Sequence, residues 1–155
     1  MNTLQRRALL GAIVLGLLPP LPGLAMWNAM SDAELVQVSP LVVVGTWVGQ
    51  TALTMPSATA ALQVGVVAVS ETLKGAATAA AAANPTVVFV AVPNPSGLRV
   101  STDIYYRKGD TGLWLLRPHP GATAGLYLAD NPQRFVPAAT GAAHIDALRK
   151  LISSR

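Results

Sequence analysis

Three valine-rich runs constrain this chain more than any other feature: LVVVGTWV at residues 41–48, LQVGVVAVSETL at 62–73 and TVVFVAV at 86–92. β-Branched residues crowd a helix at χ1 and pack well on a pleated sheet, so each run reads as a strand. The runs are separated by breakers. Gly45 inside the first predicts a bulge or sharp bend, the device by which small barrels curve. Lys74-Gly75 ends the second, and Pro93-Asn94-Pro95-Ser96-Gly97 ends the third with the densest turn signal in the chain. Lys74 is expected to be a strand end running out into solvent.

The remaining elements follow from local chemistry. Ser31-Asp32-Ala33-Glu34 has the S-x-x-E spacing of a capping box, which predicts a short helix over residues 32–38, stopped by the restriction Pro40 places on Ser39. Residues 51–61 are expected to be a connection, and the alanine-rich stretch 76–83 a loop, since so short a segment cannot sustain a helix in isolation. LRVSTDIYY at 98–106 reads as a ragged strand. The turn Gly109-Asp110-Thr111-Gly112 precedes a short strand at 113–116, and GLYLA and RFVPA supply two more short strands around Asp130-Asn131-Pro132. In the last segment, Ile145, Leu148 and Ile152 recur at helical spacing, which predicts a helix packed on the sheet.

The first 25 residues carry a separate message. Arg6-Arg7 gives a positive start, residues 8–18 form an apolar run, and Gly23-Leu24-Ala25 is a small-x-small end. This is the layout of a secretory signal peptide, with cleavage expected after Ala25. The apolar run is about 11 residues, against about 20 for a membrane-spanning helix. The expected organisation is therefore a signal peptide at 1–25, one domain at 26–141 and a C-terminal helix at 142–155, in a protein delivered to the periplasm or the cell exterior.

Export changes how the charge is read. The chain has 11 Lys+Arg against 7 Asp+Glu, but two of those arginines leave with the leader, which contains no acid. A residual charge near +2 is weak for phosphate binding, which argues against nucleic acid as a partner. The chain has no cysteine, so an exported form is held together by its core rather than by disulfides, and it offers neither a thiol nucleophile nor a lipid-attachment cysteine.

The order of elements carries a family resemblance. Val44-Gly45 on a strand after a helix, Val69 through Leu73-Lys74-Gly75 ending the next, Lys108-Gly109 with Leu113 and Leu115-Leu116, and Tyr127 with Arg134-Phe135 together resemble the bacterial secreted relatives of the netrin and tissue-inhibitor-of-metalloprotease module. The resemblance spans roughly residues 31–137. It implies a mainly β fold, a small OB-like barrel with a short N-terminal helix and a C-terminal helix. The animal inhibitors bind their target zinc through an N-terminal cysteine that this chain lacks, so metalloprotease inhibition is not implied.

Candidate chemistry is sparse. The imidazoles are His119 and His144, neither with an acid at the offset of an H-E-x-x-H site, and no metal or cofactor is expected. No G-x-S-x-G elbow occurs, although a Ser/His/Asp site can assemble in space from Ser70, Ser96, Ser101 and scattered aspartates. His144 and Asp146 are expected on the surface, facing different ways. One stretch, IYYRKGDTGLWLLR, interleaves aromatics with cations. Tyr105, Tyr106, Arg107, Lys108 and Trp114 are its candidate contact surface, with strand packing as the competing role for its aromatics. The expected function is a non-enzymatic exported binding domain for an envelope protein or ligand. The alternative is a small envelope hydrolase with a spatially assembled site.

Overall fold

A computed structural model describes residues 28–53, 62–75, 86–92, 104–120 and 125–154. The predicted leader, the alanine-rich stretch and most of the ragged strand lie outside these residues. The described elements run in the order α1 (Asp32–Gln37), β1 (Leu41–Leu53), β2 (Leu62–Lys74), β3 (Val87–Ala91), β4 (Thr111–Pro118), β5 (Leu126–Leu128), a 3-10 turn (Pro132–Arg134), β6 (Phe135–Pro137) and α2 (Ala138–Ser153).

The fold is mainly β, and its sheet closes on itself. β1 pairs antiparallel with β2, β2 antiparallel with β3, β3 parallel with β5, and β5 antiparallel with β4. β4 returns to β1, with Leu41 opposite Leu116 and Thr46 opposite Thr111. The result is a ring of five strands. β6 lies along β4 at Gly112–Trp114, on the side away from β1 and next to β5. The first strand is longer than expected, continuing past Val48 to Leu53. Its ladder to β2 shifts register at Val44/Gly45, where a bend was expected, and again at Trp47/Gly49.

Why the strands read as unbroken apolar runs is now clear. Residues alternate across a strand, and β1 and β4 are covered on both sides. Leu41, Val43, Trp114 and Leu116 face the inside of the ring, where they join Trp47, Val67, Val88, Val90 and Tyr127. Val42, Leu113 and Leu115 face outward into a second core with Leu35 and Val36 of α1, Val136, and Ile145 and Leu148 of α2. Double-sided burial removes the polar alternation of a strand with one wet face.

Helix α1 is short, and its two ends are secured by side chains. At the N-terminus the capping box is complete: the Glu34 amide donates to Ser31 Oγ, and the Ser31 amide donates to Glu34 Oε2 at 2.9 Å. At the C-terminus, Ser39 Oγ donates to the Leu35 carbonyl at 2.6 Å. Lys74 Nζ donates to the Val36 carbonyl at 2.7 Å. The expectation that Lys74 runs out into solvent is therefore corrected. The strand does end there, but its ammonium satisfies the free carbonyl end of a helix that precedes it by almost 40 residues, where a cation also suits the dipole.

Arg134 ties these pieces together. Its guanidinium is 4% exposed, and Nη1 donates to Ser39 Oγ at 2.9 Å and to the Leu115 carbonyl at 3.1 Å. Asp130 provides the opposing charge, 3.4 Å from Arg134 Nε and hydrogen-bonded to both Nε and Nη2 of Arg117. Burial works to raise the Asp130 pKa, but the Arg117 hydrogen bonds and the two cations outweigh it and hold the carboxyl below its ordinary value.

Helix α2 begins at Ala138, earlier than the predicted 142, and kinks at Gly141. Besides its buried face it carries two polar ties. His144 Nε2 lies 2.9 Å from Asp32 Oδ1 on α1, and Arg149 makes a bidentate contact with Glu71 on β2 at 2.7 and 2.6 Å. Among the described residues, no helix is long and apolar enough to cross a membrane.

Inside the ring, Gly65 makes room for Trp47: a Cβ on residue 65 would fall 1.6 Å from the Trp47 ring. Gly65→Ala is expected to destabilise the protein by about 2–3 kcal/mol, in the upper part of the range for overpacking a close-packed core. Trp47→Leu is expected to destabilise on its own, and the double variant to lose less than the two single losses combined, because the smaller side chain admits the methyl. Urea unfolding of the four forms checks this; strict additivity would contradict the packing described.

Candidate binding groove

The segment between residues 104 and 112 is shaped by its turn. Gly109 has φ +95°, a left-handed conformation that suits glycine. The Asp110 amide donates to the Arg107 carbonyl at 3.0 Å, and the Arg107 amide donates back to Asp110 Oδ2 at 2.7 Å. The turn is also pinned to β1, since the Gly109 amide donates to the Trp47 carbonyl and the Trp47 amide to the Asp110 carbonyl, at 2.9 and 2.8 Å. With both its ends held this way, the turn is a rigid platform.

Neighbouring residues on an extended backbone point to opposite sides, and this divides the candidate contact surface. Tyr106 enters the ring: its ring centroid lies 5.1 Å from Trp47, 4.8 Å from Trp114 and 5.5 Å from Phe135. Its hydroxyl donates to the Ala129 carbonyl at 3.1 Å, and burial, reinforced by Asp130, pushes its pKa well above the usual phenol value. Trp114 is fully buried and donates from Nε1 to the Gly45 carbonyl at 3.0 Å. Trp114 is thus a core residue, and Tyr106 packs partly buried against the same core. Tyr105, 45% exposed, and the exposed Arg107 and Lys108 remain at the surface.

Opposite them runs the junction of β6 and α2. Between the two lies an open groove of roughly 570 Å³, with Tyr105, Arg107 and the Gly109–Thr111 turn on one side and Phe135, Pro137, Ala138 and Ala139 on the other. Its volume falls within the range of small-molecule sites, though it is open to solvent. Helix α2 starts in this wall without a side-chain cap and without an acid in its first turn, so its positive end is not neutralised locally. The far wall was not visible in the sequence: Phe135 and Ala138 are some thirty residues from Tyr105, and only the β4–β6 pairing brings them beside it. The one local hint was the apolar pair Phe135-Val136 ahead of Pro137.

Among the described residues, the groups that hydrolysis would use are not brought together. His144 meets Asp32 on the exposed seam between the helices, with both side chains nearly half exposed. Ser70 Oγ donates to the Val44 carbonyl at 3.1 Å, and Ser96, Ser101 and Asp103 lie outside the described residues. Among the described residues, no serine hydroxyl is hydrogen-bonded to either imidazole. His119 Nδ1 is buried and has no hydrogen-bond partner among the described residues. No group of three or more His, Asp or Glu side chains placed to hold a metal ion occurs among the described residues.

In comparison with known proteins, the chain matches no family model and no curated sequence.

Adjacent tyrosines should respond in opposite ways to truncation. Tyr106→Ala is expected to cost about 3 kcal/mol or more, as for other large buried aromatics, whereas the exposed Tyr105→Ala should cost less than half as much. Thermal unfolding of both variants measures the difference. Equal losses would mean that Tyr105 is a core residue and that the groove wall has been misassigned.

Proposed function

We propose that this protein is an exported, non-enzymatic binding domain that holds a partner in the groove between the Arg107–Asp110 turn and the β6–α2 junction. The observation that carries the reading is the exposed cationic and aromatic edge on a turn hydrogen-bonded into the sheet, facing an apolar wall. Preorganised sites of this kind lose little entropy when a partner docks.

The ring order β1-β2-β3-β5-β4, with a parallel β3–β5 pair, supports an OB-like barrel as the finer description. The two helices side by side on its outer face favour kinship with the secreted netrin- and inhibitor-like modules. Fold alone does not assign a role, and for that reason the proposal rests on the groove. Export is proposed from the leader layout of residues 1–25. The competing hydrolase reading has the Asp32–His144 pair in its favour, but that pair is nearly half exposed and, among the described residues, no hydroxyl nucleophile is bonded to it.

Photocrosslinking in cells tests the proposal. A photoreactive residue in place of Tyr105 is expected to capture one identifiable envelope protein or ligand. The same residue in place of the exposed Gln50 is not, and filling the groove with Ala139→Trp should abolish the capture. In the crosslinked product, this protein itself should begin at Met26. Equal capture from both positions would contradict the proposal, as would turnover of an envelope substrate that is lost in His144→Ala.

A further inference from the structure

The groove has a charge imbalance that specifies its occupant more narrowly. Elsewhere, the arginines and Lys74 in the described part of the protein are engaged: Lys74 with the Val36 carbonyl, Arg117 and Arg134 around Asp130, and Arg149 with Glu71. Lys150 lies in the last turn of α2, where the helix dipole favours a cation. Arg107 and Lys108 differ. They are adjacent and exposed, Arg107 lines the groove and Lys108 follows it in the turn, and neither has an ion-pair partner among the described residues. Asp110 is the acid in the groove lining, and one of its oxygens already accepts the Arg107 backbone amide. Its carboxylate closes the turn without pairing with either cationic side chain, so the turn keeps a net positive charge.

Resting on the binding-domain reading above, we propose that the occupant is an acidic, extended peptide segment of a partner protein. One of its carboxylates would pair with Arg107, and an adjacent apolar side chain would lie between Tyr105 and Phe135. A guanidinium fork matches a carboxylate in bidentate geometry, which favours Arg107 over Lys108 as the anchor. The apolar wall of Phe135, Pro137, Ala138 and Ala139 gives the neighbouring side chain somewhere to bury. Two cations are too few for a nucleic-acid backbone, where affinity grows with the number of phosphates neutralised. A membrane surface is also disfavoured, since polybasic lipid-binding segments use clusters of about four to eight Lys/Arg.

Selection of phage-displayed random 12-residue peptides on the purified protein tests this. Selected peptides should be enriched in Asp or Glu beside an aromatic or aliphatic residue. The tightest should bind the Arg107→Glu variant at least 10-fold more weakly, and exchanging its acidic residues for Lys should restore binding to that variant. Rescue by charge exchange is a result that damage to the fold would not produce. Selected peptides without acidic enrichment, or acidic peptides that bind Arg107→Glu undiminished, would overturn the proposal. So would binding to phosphatidylglycerol vesicles that Arg107→Glu removes while acidic peptides fail to bind. If the peptides fail but Tyr105 crosslinking still captures a partner that the filled groove excludes, only the acidic occupant is lost. Failure of both removes the binding-domain reading as well.

Discussion

The structure depends on the pairing of β1 with β4. These two strands are distant in sequence, and their register places Val43 opposite Trp114 on the inside of the ring and Val42 opposite Leu115 on the outside. One ladder therefore serves two cores. The inner core fills the ring with Trp47, Trp114 and the valines of β2 and β3, and the outer core is where both helices dock. A chain without cysteine has no disulfides to draw on, so burial and hydrogen bonding must supply its stability.

The groove follows from the same pairing. β4 is positioned by β1, the turn ahead of β4 is hydrogen-bonded to Trp47 on β1, and β6 is carried on the other edge of β4. Both walls are thus fixed by a single strand. Tyr106 lies in the aromatic cluster with Trp47, Trp114 and Phe135, and that inward anchor leaves Tyr105 and Arg107 facing outward. Core packing and the exposure of the proposed binding edge are consequences of one alternation. Arg134 plays a comparable part farther along β4, where it joins the Ser39 hydroxyl, the Leu115 carbonyl and Asp130.

Much of the fold was legible because its signals are local. The Ser31–Glu34 capping box, the valine runs and the bend at Gly45 each depend on residues within one turn or one strand, and each is present. Signals that depend on the third dimension were missed. Lys74 looked like a solvated strand end because its acceptor, the Val36 carbonyl, is carried by a helix brought over β2 only by tertiary packing. His144 meets Asp32 and Arg149 meets Glu71 for the same reason. At the candidate site, composition picked out the 105–114 stretch as unusual but could not assign an inward and an outward side, because the turn at Gly109 resets the alternation between Tyr106 and Trp114. The opposite wall, Phe135 to Ala139, carries no chemistry of its own and gains meaning only from what faces it.

Closure of the ring can be tested directly, because the chain has no cysteine to interfere. Thr46 and Thr111 face each other across β1 and β4 with their hydroxyls 2.8 Å apart. In the Thr46→Cys/Thr111→Cys variant, a disulfide is expected to form on mild oxidation without loss of the folded spectrum. Closing a loop of this length should raise stability by up to roughly 4 kcal/mol relative to the reduced form. Cysteines that stay reduced under oxidising conditions in the folded protein, or that pair only after unfolding, would contradict a sheet closed by β1 and β4.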